Sequence, residues 1–412
     1  MHPRDISINE FNYPLPEEKI AVYPLTERDA SKLLIYQDGV ISEDRYANIA
    51  SFLPEGSLLL FNDTKVVEAR LLFQKPTGGT IEIFCLEPAE ENIDTHTALR
   101  QRGSVEWQCL VGGASKWKHG QVLERMISAG SELIRLEASF VGKKAGSFII
   151  RLSWTPGELN FAELLHHAGA MPLPPYIKRK AESGDNARYQ TIYAEKDGSV
   201  AAPTAGLHFT DNIFAELQKK NISRSFLTLH VGAGTFKPVK SETLGGHDMH
   251  AEFIDVAKDT IVKILKQAGK PIIPVGTTSL RTLESLYWLG VKLNKMEETG
   301  DDLLTLGQWE AYELEDLTPT DALGALLNWM ERTGATHVRA KTQLLITSAY
   351  RLRLATALIT NFHQPQSTLL LLITAFVGKE WRRIYDYALE HDFRFLSYGD
   401  GCLLFAGDNG RP

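Results

Sequence analysis

The sequence predicts an α/β protein in which a layered α/β core domain carries an inserted small β-barrel domain. Three observations support this fold class. Two apolar runs near the beginning, SKLLIYQDG at 31–39 and GSLLLFND at 56–63, end at turn residues as strands do. Short strand-like runs without helical periodicity follow them. After Pro156, strands alternate with amphipathic helices, which is typical of a layered α/β core.

The inserted domain is predicted from five short β-rich runs between residues 66 and 153, separated by turn residues: EARLLF, GGTIEIFCLEP, SVEWQCLVGG, SELIRLEASF and GSFIIRLSW. Runs of this kind indicate a small barrel or sandwich. A chain of 412 residues is also long enough for two domains. We therefore predict a first part of the core over residues 1–65, the barrel over 66–155, and the second part of the core over 156–412.

The second part of the core contains recognisable helices and strands. FAELLHHAG is an amphipathic helix that ends at Gly169, and TDNIFAELQKKN is a helix with Thr210 as its N-cap. We interpret SFLTLHVG, HAEFIDV and KPIIPVG as strands and SLRTLESLYWLG as a helix. The acidic stretch over about 290–335 lacks sharp periodicity, and we expect it to be an appended, mostly helical insertion.

The composition indicates a globular protein of a reducing compartment. The three cysteines form no C-x-x-C pair, which excludes a disulfide framework or a thiolate zinc site as the organising feature. The first residues carry charge and no apolar signal region, and the longest apolar run, 367–377, is too short to cross a bilayer. We expect a cytoplasmic monomer with no membrane association.

A net charge of −7 argues against a nucleic-acid partner, but the distribution of charge allows one. Residues 332–379, 217–241 and 164–181 contain no Asp or Glu and carry several Lys and Arg, while acidic residues concentrate in 297–321. An acidic protein with locally basic segments can bind a polyanion through one face. Ordinary variation of solvated surface charge is the alternative.

Ligands of layered α/β proteins bind where strands end and loops begin, and several loops here are rich in polar groups. The loop GSVAAPTAGLHFT at 198–210 combines small residues, which let a ligand approach the backbone, with His208 just before a helix. A plain turn with an incidental histidine is the alternative.

The loop TLHVGAGTFKPV at 228–239 places His230 at the end of a strand and follows it with Gly232 and Gly234. Such a glycine loop can offer backbone N–H groups to a ligand. The dinucleotide pattern G-x-G-x-x-G is broken at Lys237, so a tight turn without a ligand is equally compatible.

The phrase HDMHAE at 247–252 brings two histidines and a carboxylate together, and on a strand His250 and Glu252 share a face. Proton transfer or substrate binding, structural hydrogen bonding and a metal site are all compatible with this triplet. The helical H-E-x-x-H arrangement is absent and no fourth ligand is evident, which makes the metal the weakest of the three.

Polar groups also occur in three further segments. VGTTSLRTLE at 275–284 is a strand, a Gly-Thr-Thr turn and a helix carrying Arg281. TNFHQPQST at 360–368 offers Asn361 and His363, and SYGD at 397–400 supplies a tyrosine and a carboxylate. The sequence contains no G-x-S-x-G elbow, P-loop or H-R-D motif, which argues against serine hydrolases and common kinases.

These phrases, taken in order, resemble the S-adenosylmethionine:tRNA ribosyltransferase-isomerase family of queuosine biosynthesis. The similarity covers nearly the whole chain, from FNYPLPEEKIAVYPLTERDASKLL through LLLFNDTKVVEARL, GGTIEIF, GGASKWKHG and MPLPPYI to FRFLSYGD. It is densest over MPLPPYI, RYQTIYAEKDGSVAAPTAGLHFT, TLHVGAGTFKPV, HDMHAE and VGTTSLRTLE, and it resumes at TNFHQPQSTLL. One departure is a longer connection before TNFH, in which TQLLITSAY at 342–350 stands where the family has T-[DQ]-I-F-I-x-P-G.

The resemblance implies that the ribosyl part of S-adenosylmethionine is transferred to the aminomethyl group of a 7-deazaguanine base, preQ1, at the tRNA anticodon wobble position. Adenine and methionine leave, and epoxyqueuosine is the product. The sulfonium acidifies the adjacent C5′ protons, so a His or a carboxylate of near-neutral pKa is expected to remove one. S-adenosylmethionine is thus the co-substrate, and the reaction requires no metal.

The resemblance also suggests roles for residues of the matching phrases. We expect the acid, base or orienting groups to be His208, His230, His250, Glu252 and Asp63. We expect the cofactor pocket to be lined by Thr204, Gly206, Gly232, Gly234, Thr277 and Thr278. We expect the substrate to be contacted by Tyr189, Tyr193, Arg281, Asn361, His363, Tyr398 and Asp400. Of these residues, Tyr189 and Tyr193 are expected to be stacking surfaces.

Two other functions remain compatible with the sequence. The altered phrase at 342–350 would suit a diverged paralogue that uses S-adenosylmethionine on another nucleoside or a small acceptor. A non-catalytic RNA-binding protein on the same scaffold is the second, although intact His208, His230, His250 and Glu252 argue against it. The family resemblance predicts a tRNA anticodon stem-loop carrying preQ1 as the partner.

Overall fold

The structure is a computed structural model that describes residues 2–407 except 76–77, 91–92, 94, 119, 131, 145, 233–240 and 296–303. In these residues the strands are β1 (Lys32–Gln37), β2 (Val40–Arg45), β3 (Leu58–Asn62), β4 (Thr64–Val66), β5 (Arg70–Gln74), β6 (Thr80–Pro88), β7 (Ser104–Gly112), β8 (Leu123–Ala129), β9 (Glu132–Lys144), β10 (Ser147–Thr155), β11 (Gly169–Ala170), β12 (Lys196–Ser199), β13 (Ser223–His230), β14 (Glu252–Ala257), β15 (Ile272–Val275), β16 (Leu304–Leu306), β17 (His337–Thr342), β18 (Ala357–Asn361) and β19 (Gly401–Phe405).

The α-helices of the described residues are α1 (Ile49–Phe52), α2 (Thr95–Leu99), α3 (Phe161–Ala168), α4 (Asp185–Arg188), α5 (Asp211–Lys219), α6 (Lys258–Lys266), α7 (Thr277–Lys295), α8 (Pro319–Thr333), α9 (Thr368–Val377) and α10 (Trp381–Glu390). The hydroxyl of Thr210 accepts a hydrogen bond from the Ile213 amide, which confirms the predicted N-cap of α5. The apolar run at 367–377 forms α9, and its residues from Leu370 onward are buried.

A ten-stranded sheet forms the main layer, in the order β16-β17-β14-β13-β3-β15-β18-β19-β1-β2. Its four middle strands β13, β3, β15 and β18 run parallel to one another. Their carboxyl ends therefore lie at the same edge of the sheet. At the outer end, β1 and β2 form a hairpin whose turn contains Asp38 and Gly39, with φ values of 49° and 80°.

The two faces of this sheet are covered by different elements. Leu227 and Leu229 of β13 point into a core shared with α6, α7 and α8. Phe61 of β3 points to the opposite face, where Phe209 and Ile213 of the α5 region pack against it. The alternation along each strand places neighbouring residues on opposite faces, and this decides which polar side chains meet at the sheet edge.

A second, curled antiparallel sheet has seven strands in the order β11-β5-β6-β7-β10-β9-β8. Its apolar core includes Trp107, Trp154 and Phe161 and is separate from the core of the large sheet. Arg125 on β8 donates hydrogen bonds to the carbonyls of Leu72 on β5, at 3.2 Å, and Ala168 at the end of α3, at 2.7 Å. These bonds join the two ends of the curled sheet. The molecule is thus a mixed α/β protein with one large sheet and one curled sheet, and β8 is a strand that the sequence patterns did not predict.

The acidic segment over about 290–335 is part of the core, which corrects the prediction of an appended insertion. Within its described residues, β16 adds a strand to the large sheet beside β17. α8 packs along α7, and Leu323 and Leu326 are fully buried. The apolar face of α8 explains this placement, because a helix with such a face is stable only when that face is covered.

Candidate functional site

A cleft lies at the edge of the large sheet where the parallel strands end. Gly276 after β15 and Thr277 and Thr278 at the start of α7 contribute to it. The last residue of β18, Asn361, and His363 just beyond it also contribute. The remaining lining residues come from 201–205, from Val231 and from neighbouring loops: Tyr176, Tyr189, Thr360, Phe362, Gln364, Ser367, Leu369, Leu396 and Ser397. This position is where open α/β sheets usually bind ligands.

The cleft lining contains hydroxyl, amide and apolar groups and no Asp, Glu, Lys or Arg among the described residues. The hydroxyl of Thr278 is buried and has no hydrogen-bond partner in the described part of the chain. A buried hydroxyl without a partner is costly unless a ligand or water satisfies it. The lining therefore suits a neutral, hydrogen-bonding ligand such as a nucleoside.

A chain of hydrogen bonds leads from the cleft wall into the interior. The Thr204 hydroxyl donates to Oδ1 of Asn361 at 2.8 Å, and Nδ2 of Asn361 lies 3.4 Å from Nε2 of His208. His208 itself does not line the cleft. Its ring stacks on Tyr46, with 4.4 Å between ring centroids, and burial lowers its pKa to about 4. His208 is therefore neutral at physiological pH and is held behind Asn361.

His363 lies in the cleft wall and is also neutral. Burial lowers the pKa of its imidazole to about 3, and Nε2 lies 3.0 Å from the Thr360 hydroxyl. Its backbone is held at both ends, because the Tyr13 hydroxyl donates to its carbonyl and its amide donates to the Tyr385 hydroxyl. A fixed, neutral imidazole can orient a ligand. With so low a pKa it is only a weak proton acceptor.

A tyrosine-rich wall faces these groups. Tyr189 lines the cleft, whereas Tyr398 lies behind it and donates to Oδ1 of Asp185 at 2.9 Å. Tyr176 and Ser397 line the cleft and share a hydrogen bond of 2.6 Å between their hydroxyls. Sequence reasoning did not select Tyr176, Ser397 or Gln364 as site residues, although all three lie in phrases that resemble the family, MPLPPYI, TNFHQPQST and SYGD.

Asp400 has a structural environment. Its carboxylate accepts hydrogen bonds from the Lys32 amide at 3.1 Å and the Arg394 amide at 2.8 Å, and it pairs with the Arg394 guanidinium at 3.0 Å. The carboxylate does not line the cleft. Only its backbone carbonyl reaches the site, because it lies 3.4 Å from Nδ2 of Asn361.

A charged group lies beside the cleft, one helical turn beyond Thr278. Glu252 at the start of β14 forms a buried ion pair with Arg281 of α7 and lies 3.4 Å from Nε2 of His250. The His250 ring is the partly exposed member, and a Cβ added at Gly232 would lie 3.7 Å from its Cδ2. The structure thus brings together three residues that the sequence predicted as site residues.

A second group lies on the opposite face of the sheet. The Thr228 hydroxyl donates to Asp63 at 2.7 Å, and burial raises the pKa of Asp63 to about 6 despite this bond. His230 lies two residues along β13, on the same face as Thr228. Gly198, with φ of 143°, makes room for it, since a Cβ there would be 2.5 Å from Nδ1 of the ring.

Tyr193 and Gly206 also lie away from the cleft, and Gly234 lies outside the described residues. Tyr193 packs in an aromatic cluster, 5.0 Å from Phe61 between ring centroids. Gly206 gives space to that ring, because a Cβ there would be 1.9 Å from the Tyr193 hydroxyl oxygen. Gly234 falls in 233–240 and is not described.

Across the described ranges, no group of three or more His, Cys, Asp or Glu side chains is placed to hold a metal ion. In the same part of the chain, no helix is both long and apolar enough to cross a membrane.

The fold and the site define an α/β protein with a cleft at the carboxyl ends of its parallel strands, where proteins of this architecture usually bind small molecules. Residues 8–404 match the family described as "Queuosine biosynthesis protein". The chain belongs to this family.

Individual relatives are similar over nearly their full length. The S-adenosylmethionine:tRNA ribosyltransferase-isomerase of Aromatoleum aromaticum is 39% identical over 403 residues, covering 97% of both chains. The protein of the same name from Halothermothrix orenii is 36% identical, covering 97% of this chain and 100% of the relative. A crystal structure of S-adenosylmethionine tRNA ribosyltransferase from Thermotoga maritima is 27% identical, covers 96% of this chain and 99% of that one, and has a TM-score of 0.45.

Proposed function

We propose that this protein transfers the ribosyl part of S-adenosylmethionine to preQ1 at the anticodon wobble position of tRNA, giving epoxyqueuosine, adenine and methionine. The observation that carries this proposal is the uncharged, hydroxyl-rich cleft at the strand ends of a chain that belongs to the queuosine biosynthesis family. Such a lining suits the adenosine part of S-adenosylmethionine, which is neutral and rich in hydrogen-bonding groups.

We assign the charged group beside the cleft to the remaining, charged part of the same molecule. The methionine end carries an ammonium and a carboxylate, and the described residues that line the cleft offer no counter-charge for either. Arg281 and Glu252 supply one charge of each sign, and they are reached from the cleft along the first turn of α7. His250, at their exposed side, is then close to the sulfonium and is a candidate for removing a C5′ proton.

Asp63 is the second candidate base. A carboxyl with a pKa of about 6 is largely ionised at neutral pH and is basic enough to accept a proton during the reaction. It follows β3, between the strands that lead to Val231 and Gly276 of the cleft. His230, on the same face of the sheet, is placed to orient the acceptor base. In this assignment the buried, neutral His208 and His363 orient groups and do not transfer protons.

The face of β13, β14 and β17 that carries His230 is the surface that we assign to the tRNA. Directly paired residues share a face, so His230, Phe253 and Lys341 form one row across it. The Lys341 ammonium lies 4.8 Å from the centre of the Phe253 ring, and Arg339 is 72% exposed beside it. Basic and aromatic groups of this kind bind phosphates and unstacked bases.

The curled sheet is proposed to be an inserted small barrel domain over about residues 66–155. The chain leaves the large sheet after β3 and rejoins it at β13, and the curled sheet has its own apolar core. Phe161, Leu164 and Leu165 of α3 belong to that core, which places this helix with the barrel.

The structure gives no reason to prefer a different acceptor. The altered phrase at 342–350 packs away from the cleft: the Tyr350 hydroxyl donates to Glu284 at 2.8 Å and accepts from Nε1 of Trp288 at 2.8 Å. None of these residues lines the cleft.

Adenine release tests the proposal. The protein is incubated with S-adenosylmethionine and either preQ1-containing tRNA or the same tRNA with guanine at the wobble position, and free adenine is quantified. Release that depends on preQ1 is expected. Release with a different acceptor would support a diverged enzyme, and tRNA binding without release would support a non-catalytic protein.

A further inference from the structure

The direction of every hydrogen bond between His208 and the cleft is determined by two backbone carbonyls. Nδ1 of His208 lies 3.3 Å from the Arg28 carbonyl, which can only accept, so Nδ1 carries the proton. Because the imidazole is neutral, Nε2 is then an acceptor. The Asp400 carbonyl can also only accept, so the side-chain group of Asn361 that lies 3.4 Å from it is the amide nitrogen Nδ2.

The same logic continues to the cleft surface. The amide nitrogen of Asn361 donates to both Nε2 of His208 and the Asp400 carbonyl, so its oxygen faces Thr204. The Thr204 hydroxyl gives its single hydrogen to that oxygen at 2.8 Å. Toward the cleft, this hydroxyl therefore presents lone pairs only.

Thr204 is also the most accessible of the three hydrogen-bonded residues His208, Asn361 and Thr204. His208 and Asn361 are 4% and 3% exposed, whereas Thr204 is partly exposed between buried neighbours on both sides. In the part of the chain that the structure describes, no carboxylate lines the cleft that could accept a hydrogen bond in its place.

We propose that Thr204 is a specificity-determining residue that accepts a hydrogen bond from an N–H or O–H donor of the nucleoside part of S-adenosylmethionine, and that His208 and Asn361 are positioning residues that hold it in the accepting state. This inference rests on the proposed function and names the chemistry of its cofactor subsite. The donor is the 6-amino group of adenine or one of the two ribose hydroxyls, which share the chemistry that Thr204 can recognise.

The binding test uses 5′-methylthioadenosine, which keeps the nucleoside and lacks the methionine end. Its affinity is measured by calorimetry for the wild-type protein, T204V, T204S and the remote control T333V. Loss of one acceptor for a buried donor should weaken binding to T204V about tenfold. T204S and T333V should bind as the wild type does. Wild-type affinity in T204V, or no binding to the wild-type protein, would overturn the proposal.

Three analogues, lacking the 6-amino group, the 2′-hydroxyl or the 3′-hydroxyl, identify the donor. The analogue that lacks the relevant donor should bind the wild-type protein and T204V with equal affinity. The other two analogues should still bind T204V about tenfold more weakly than the wild-type protein. If all three lose the same factor, Thr204 accepts no hydrogen bond from the nucleoside and the assignment fails.

The positioning role has two separate readouts. In ¹⁵N spectra of the free protein, His208 should be the Nδ1–H tautomer, and the Nε2–H tautomer would refute the relay without any variant. The double variant T204V/H208A should bind the nucleoside no more weakly than T204V alone, whereas additive losses would show that His208 acts elsewhere. Adenine release by the wild-type enzyme is scored independently, so Thr204-dependent nucleoside binding without release would reject the proposed function and leave the subsite assignment standing.

Discussion

Glu252 and Arg281 form an ion pair in the interior of the protein, with side chains that are 2% and 8% exposed. The pair joins the first residue of β14 to the second turn of α7, next to the turn that lines the cleft. Burying two charges costs solvation free energy that their attraction offsets only while both are present. Loss of one member alone would therefore leave an uncompensated charge in the interior, beside the turn that lines the cleft.

Removing one member of this pair should destabilise the protein strongly. R281M removes the guanidinium that pairs with the buried Glu252 carboxylate, and we expect the free energy of unfolding to fall by about 3 kcal/mol. The double variant R281M/E252Q should recover most of that loss. Urea unfolding at pH 7 measures both, and a double variant that is less stable than R281M would show that the pair is not coupled.

Asp63 should make the protein less stable as pH rises. Its pKa is about 6 in the folded protein against an ordinary value of 3.8, so its favourable contribution is present below pH 3.8 and is lost as pH rises through 6. D63N keeps the acceptor for Thr228 and removes the buried charge. We expect D63N to exceed wild-type stability by about 1–2 kcal/mol at pH 8 and to match it near pH 4.

The same variant tests the proposed base. If Asp63 removes a proton from the substrate, adenine release by D63N should fall at least a hundredfold while the protein becomes more stable. T228V is the matched control, because it removes the hydroxyl that favours the ionised carboxylate and keeps the carboxylate itself. Unchanged adenine release in D63N would leave His250 as the base.

His208 has the opposite pH dependence. Its pKa is lowered from 6.5 to about 4, so its contribution to stability is complete above pH 6.5 and is lost as pH falls through 4. At pH 5, unfolding should take up nearly one proton at this residue, which steepens the dependence of stability on pH by about 1.4 kcal/mol per pH unit. H208Q should show a slope that is smaller by that amount, and an equal slope would mean that His208 is protonated in the folded protein.

The sequence predicted the loops of the site more reliably than the orientation of their side chains. Loops that follow parallel strands meet at one edge of a sheet, so the convergence of Thr277, Asn361 and the loop at 198–210 was predictable. Thr277, Thr278, Thr204, Asn361, His363 and Tyr189 do line the cleft.

Side-chain orientation depends on strand register that residues distant in sequence determine. His230 pairs with Phe253 across β13 and β14, and this pairing puts His230 and Glu252 on opposite faces of the sheet. Asp400 turns its carboxylate to Arg394 because β19 runs antiparallel to β18, which brings only its carbonyl to Asn361. Local patterns contain no information on either pairing.

The close contact between α7 and α8 provides the last prediction. A Cβ at Gly290 in α7 would lie 2.0 Å from the Ala322 carbonyl oxygen of α8, so G290A must push the two helices apart. Gly324 lies in α8 with nothing within 4 Å of an added Cβ. We expect G290A to lower the free energy of unfolding by about 2–3 kcal/mol, and G324A to raise it by about 0.5–1 kcal/mol because alanine favours the helix.

Thermal unfolding followed by circular dichroism measures the two variants under the same conditions. The same chemical change is made in both, so a difference in sign isolates the helix–helix contact from helix propensity. Because α7 also carries Thr277, Thr278 and Arg281, G290A should weaken binding of 5′-methylthioadenosine as well, whereas G324A should not. Equal melting temperatures for G290A and G324A would contradict this prediction. They would mean that α8 is peripheral to the core, as expected for an appended acidic insertion.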